Sequence, residues 1–152
     1  MDTGVSKQKP TATTAKEAAG TRGTLDQKTL DNLSTAMHGE AFAYVKYLLY
    51  AEHARKSGNK ELADLFEKTA NTERFEHFAE EAQLAGFVGS DADNLKVAIE
   101  GESYEVDVMY PEFAQKAKVA GDAAAAARFE EVRHDEIGHR DAFKTALAKL
   151  QS

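Results

Sequence analysis

Residues 129–147 read Phe-Glu-Glu-Val-Arg-His-Asp-Glu-Ile-Gly-His-Arg-Asp-Ala-Phe-Lys-Thr-Ala-Leu. Phe129, Val132, Glu136, His139, Phe143 and Leu147 recur at steps of three and four, the period of one face of an α-helix. Glu136 and His139 therefore lie on an apolar stripe, where an unpaired carboxylate costs several kcal/mol. The spacing Glu136-Ile-Gly-His139 sets the two side chains about 60° apart on a helix of 3.6 residues per turn, close enough to reach one cation.

The same pattern extends back to Leu25 in four helical segments separated at glycines. The first is predicted from about Leu25 to Ser57, with Leu33, Met37, Glu40, Tyr44 and Tyr47 on one face and Gly58 after it. The second runs from about Lys60 to Ala85, with Phe66, Ala70, Glu73, His77 and Leu84 on its stripe and Gly86 at its end. The third covers about Asp93 to Ala120, with Ile99, Glu102, Val106, Met109 and Phe113, and Gly121 closes it. The fourth covers about Asp122 to Leu150. Pro111 falls inside the third segment and is expected to kink it, because it removes one backbone donor.

The two halves repeat. Gly39-Glu40 recurs as Gly101-Glu102; Glu73 follows Glu40 by 33 residues, Glu136 follows Glu102 by 34, and Phe66 and Phe129 each precede their glutamate by seven. The expected fold is all-α, a ferritin-like four-helix bundle made of two helical hairpins related by a pseudo-two-fold axis over residues 25–152. Residues 1–24 lack Leu, Ile and aromatic residues, so a disordered tail is expected there.

Composition narrows the chemistry. There is no cysteine among the 152 residues, which excludes thiolate catalysis, Fe–S clusters and Cys-ligated zinc and leaves oxygen and imidazole donors. The formal net charge of −7, with no basic cluster, excludes nucleic acid as a partner. No apolar run approaches the roughly 20 residues of a membrane span, and a cytoplasmic location is expected. Four glutamates on four apolar stripes, with few Lys or Arg beside them, call for metal ions. One glutamate from each of two helices and a Glu-x-x-His type pair from each of the other two is the di-iron or di-manganese ligand set of such bundles. The candidate pairs are Glu136 with His139, Glu102 with Glu105, and Glu73 with Glu76 or His77. His38, His53 and His134 lie off the stripes and are expected to face solvent. Glu80 falls on the inner stripe of the second helix two turns past Glu73 and is expected to sit at a solvated helix end, with an ion-entry role as the other reading; Asp135 is placed either to orient a ligand imidazole or to face solvent.

Gly39-Glu40 followed by Tyr47, Glu102-Ser-Tyr-Glu105 followed by Met109-Tyr110-Pro111, and Glu136-Ile-Gly-His139 together resemble the rubrerythrin family. The resemblance spans Leu25 to the C-terminus and implies metal-ligand roles for Glu40, Glu73, Glu102, Glu105, Glu136 and His139. It also implies that Tyr47 and Tyr110 hydrogen-bond to ligand carboxylates. Two features differ from the family pattern. The cysteine-ligated rubredoxin module is absent, as in shorter erythrin and symerythrin-type members, so electrons must come from a separate donor protein. Where the family has histidine three residues after the second-helix glutamate, Glu76 stands and His77 follows, so both are candidates.

The activity implied is reduction of hydrogen peroxide to water at two iron ions, with manganese or a mixed pair as other occupants. The rival readings are an O2-consuming ferroxidase or oxidase, and an iron-binding or storage protein. A homodimer is also expected. The second and third helices must run parallel in such a bundle, a return of roughly 34 Å at 1.5 Å per residue. About seven connecting residues, 86–92, reach roughly 25 Å at most. A domain-swapped pair of chains removes that conflict.

Overall fold

The structure is a computed structural model that describes residues 25–152; the tail expected over 1–24 lies outside the described residues. It contains α1 (Gln27–Lys56), α2 (Lys60–Thr72), a π turn π1 (Glu73–His77), α3 (Phe78–Ala85), α4 (Asp91–Tyr104), a second π turn π2 (Glu105–Met109), α5 (Tyr110–Ala120) and α6 (Ala123–Leu150). The segments α2, π1 and α3 are continuous, as are α4, π2 and α5, so there are four helical rods and, among the described residues, no strand.

Local chemistry sets the rod ends. Asp26 accepts a hydrogen bond from the Lys28 amide at 2.8 Å, Asn59 from Leu62 at 3.1 Å, and Ser90 from Asp93 at 3.2 Å, each satisfying an amide that lacks a helical partner. Gly86 at φ 64° and Gly121 at φ 84° end their rods in the left-handed region, where any Cβ would be strained. None of the helices is long and apolar enough to cross a membrane, among the described residues.

The chain divides after Val88 into two compact units, each a helical hairpin. In the first, α1 packs along α2, π1 and α3; in the second, α4, π2 and α5 pack along α6. Alanine mediates both. Ala51, Ala54, Ala63 and Ala70 are buried in the first hairpin, Ala114, Ala117 and Ala126 in the second, joined by Met37 and Val106. Small side chains let the helices approach closely, but they bury little apolar area per residue. Each hairpin by itself leaves large apolar side chains in the open, among them Phe42, Leu49, Phe75, Val97 and Val108.

Each hairpin also carries an aromatic trio at matching positions. Tyr47 stacks on Phe66 at a centroid distance of 6.0 Å, with Tyr50 at 5.4 Å from Phe66. Tyr110 lies 6.2 Å from Phe129, with Phe113 at 5.6 Å from Phe129.

The two π turns are the main departure from the sequence expectation of uninterrupted helices. In π1 the Phe78 amide donates to the Glu73 carbonyl, and in π2 the Tyr110 amide donates to the Glu105 carbonyl, both spanning five residues instead of four. The expected disturbance at Pro111 takes this form: π2 immediately precedes it, and Pro111 opens α5 where a proline is tolerated.

Candidate metal centre

Each hairpin brings two carboxylates and one imidazole together. In the first, Glu40 comes from α1, and Glu73 and His77 come from π1; in the second, Glu102 comes from α4, and Glu136 and His139 come from α6. Within each trio one ligand atom per residue can be chosen so that all lie within 4.8 Å of one another. His77 Nδ1 is 2.7 Å from Glu73 Oε2 and 3.9 Å from Glu40 Oε1. His139 Nδ1 is 2.6 Å from Glu136 Oε2 and 3.9 Å from Glu102 Oε1. The two trios are near copies.

The copies are built from different spacings. His139 follows Glu136 by three residues along a regular α-helix, whereas His77 follows Glu73 by four. A π turn takes in one more residue than an α turn, so the fourth residue after Glu73 falls where an α-helix places the third. That insertion turns His77 toward Glu40. Glu76 faces a surface cleft with Asp64, Glu67, Lys68, Asn71, Thr72 and Phe75 instead.

The electrostatics are those of crowded acids. Burial, then a hydrogen bond with Glu73 and the charge of that residue, raise the pKa of Glu40 above the usual carboxylate range. Burial and Glu136 do the same to Glu102, whose Oε2 is buried with no hydrogen-bond partner. His77 and His139 are raised above the ordinary imidazole value, chiefly by their hydrogen bonds to Glu73 and Glu136. Tyr110 is raised by burial and then by Glu105, Glu136 and Glu102, which places its ring and Glu105 beside the second trio. Paired carboxylates, adjacent imidazoles and an orphaned buried oxygen fit divalent transition cations, and the donor atoms suit iron or manganese.

His38, His53 and His134 are exposed, as expected, and His38 is hydrogen-bonded to the Ser34 carbonyl at 2.7 Å. Asp135 contributes charge to His139, but the imidazole nitrogen is engaged by Glu136. Glu80 is exposed; the residue turned inward is Glu81, whose Oε2 is buried without a partner and whose charge acts on Glu40. Counting Glu73, His77 and Glu81 at steps of four would have found it, and an unbroken α period points one residue short.

The model of the rubrerythrin family matches residues 31–77 and 73–147. The chain belongs to the rubrerythrin family. Rubrerythrin of Porphyromonas gingivalis is 34% identical over 136 residues, covering 82% of this chain and 68% of that protein. Nigerythrin of Nitratidesulfovibrio vulgaris is 31% identical over 157 residues, covering 91% and 78%. Among solved structures, fully reduced nigerythrin is 30% identical and aligns over 99% of this chain and 82% of its own, with a TM-score of 0.43. Membership makes the fold ferritin-like and implies a di-iron site, and each hairpin carries one cluster of two carboxylates and an imidazole.

Two measurements check the geometry. His77→Ala should weaken Mn2+ or Fe2+ binding at least about 100-fold, the upper end of what losing a residue that only orients a ligand costs. Glu76→Ala should stay within about threefold of the parent, an energy below 1 kcal/mol; a larger loss in Glu76→Ala than in His77→Ala would reverse the assignment. The pH dependence follows from the raised pKa values. Glu40, Glu102, His77 and His139 hold protons more tightly than free side chains do, and a cation must displace those protons. Affinity should therefore rise as pH increases through the histidine range above about 6.5 and then level off, with protons released into weakly buffered solution. Uptake that is flat with pH and releases no protons would contradict it.

Proposed function

We propose that the chain reduces hydrogen peroxide to water at a di-iron centre, drawing electrons from a separate donor protein. The observation that carries this reading is the pair of matched trios, Glu40, Glu73 and His77 with Glu102, Glu136 and His139, in a member of the rubrerythrin family. These six residues, with Glu105, would hold the iron pair. When bound, the irons supply the two electrons that take one peroxide to two waters.

The chain supplies position and protons. The carboxylates of Glu73 and Glu136 have side chains only 14% and 16% exposed, so their oxygens are fixed by packing before any cation arrives. His77 and His139 are hydrogen-bonded at Nδ1 to those carboxylates, which sets their ring orientation. The Tyr110 phenol is kept protonated by burial and by three nearby carboxylates, so its hydroxyl remains a donor across the physiological range. Tyr47 occupies the matching position against Phe66 in the first hairpin.

The ferrous protein should react with hydrogen peroxide faster than with O2 by about tenfold or more, a barrier difference of about 1.4 kcal/mol. Stopped-flow absorbance of the anaerobic ferrous protein mixed with each oxidant measures this. Equal or faster reaction with O2 would give the oxidase reading the lead.

The assembly follows from chain reach. Helix α3 ends at Ala85 and α4 begins at Asp91, which leaves residues 86–90 as the connector. Fully extended, that connector spans roughly 20 Å, against a return of about 34 Å between Glu73 and Glu102 through parallel rods. We infer that the first hairpin of one chain joins the second hairpin of another in a domain-swapped homodimer with two centres. Pairing would also cover side chains such as Phe42 and Val97, 70% and 67% exposed, which single hairpins leave in water. Two inactive variants, one altered at Glu40 and Glu73 and the other at Glu102 and Glu136, should regain one intact centre per heterodimer when refolded together. A monomer by light scattering that still binds two cations would exclude the swap.

A further inference from the structure

We propose that Arg133 is a positioning residue that holds the π turn Glu105–Met109 open and thereby sets the register of Glu105 and Tyr110 against Glu102; this rests on the reading of Glu102, Glu105, Glu136 and His139 as metal ligands. In an α-helix the Val106 carbonyl would accept from the amide four residues on, that of Tyr110. Across π2 that amide donates to Glu105 instead. In the π register the donor to Val106 would be residue 111, which is proline and has no N–H. Both helical donors are therefore lost. Val106 is 2% exposed, so water is a poor substitute, and a buried carbonyl without a partner is costly.

Arg133 fills the vacancy from the neighbouring rod. Its Nε donates to the Val106 carbonyl at 2.7 Å, a charge-assisted bond between residues 27 apart. The guanidinium is steadied by Glu130, 3.7 Å away. Arg133 stands one turn before Glu136 on α6, so a single rod presents both the donor and a ligand carboxylate.

The other hairpin acts as an internal control. Phe66 and Phe129 are 63 positions apart, as are Glu73 and Glu136, and the counterpart of Arg133 at that offset is Ala70, fully buried. There α1 is a regular helix with no π turn and no orphaned carbonyl. The π turn of that hairpin lies in the other rod, and the amide that would serve its second carbonyl belongs to Ala79, which has an N–H. The arginine occurs only where the π turn meets a proline.

The register matters because Glu102 and Tyr110 are eight residues apart, whereas Glu40 and Tyr47 are seven apart. If those eight residues ran as an unbroken α-helix, without the wider turn of π2, Tyr110 would rotate by about 100° around its rod relative to Glu102, away from the second trio.

The experiment uses the full chain, Co2+ as the probe, and the variants Arg133→Met, Pro111→Ala and the double. Methionine keeps much of the apolar stem and removes the donor, while alanine at 111 supplies the N–H that proline lacks. Arg133→Met should bind Co2+ about tenfold more weakly, with an altered visible absorption spectrum, and amide exchange at Tyr110 should accelerate by about tenfold. The double variant should return to within about threefold of the parent in both readouts. Parent-like Co2+ binding and exchange in Arg133→Met, or a double variant no better than the single one, would overturn the proposal. If Arg133→Met does not fold, the double must, and an unfolded double also overturns it. A parent that binds no Co2+ counts against the metal reading instead, and exchange at Tyr110 across the variants then decides the role of Arg133 alone.

Discussion

Carboxylates placed side by side in partly covered positions set the terms for the rest of this molecule. Glu40 against Glu73 and Glu102 against Glu136 are like-charge pairs at hydrogen-bond range, and burial is the main cause that raises the pKa of Glu40 and of Glu102. The 2.7 and 2.6 Å contacts to His77 and His139 offset part of that repulsion. Such an arrangement holds ready the charge that a pair of divalent ions requires.

Holding those pairs in place falls to small residues. Alanines at the rod contacts let the helices approach closely enough for carboxylates from two rods to meet, and the aromatic trios around Phe66 and Phe129 pack ring against ring between the same rods. Other large apolar side chains, Phe42 and Val97 among them, stay exposed on each hairpin. Ion pairs on the outer surface contribute little to this arrangement. Arg55 with Glu67 and Lys116 with Glu112 are exposed and partly screened by solvent.

Most of the fold was legible because periodicity and glycine placement are strong local signals. The second rod begins and ends at Lys60 and Ala85 as expected, and the other rod ends shift by no more than two residues. The glutamates of the trios were legible for a related reason, since a carboxylate on an apolar stripe violates the pattern of its neighbours. The choice between Glu76 and His77 was not legible from an unbroken 3.6-residue period, which assumes a π turn is absent. Glu81, and not Glu80, turns inward for the same reason, because every position after π1 is displaced by one. Arg133 escaped notice because its role depends on a carbonyl in another rod, and nothing in its own segment marks it.

A trace of both insertions was nonetheless present in the repeat. Glu40 and Glu102 are 62 positions apart, but Tyr47 and Tyr110 are 63 apart; Glu73 and Glu136 are 63 apart, but His77 and His139 are 62 apart. One residue is therefore gained between Glu102 and Tyr110 in the second hairpin, and one between Glu73 and His77 in the first. Those two intervals contain π2 and π1. Aligning the halves of a duplicated helical chain against each other thus locates π turns that neither half reveals alone, since an added residue in an otherwise matched rod must be absorbed by a wider turn or by a shift of every side chain beyond it. The ligand-bearing faces are matched on both sides of each insertion, and only the wider turn preserves that match.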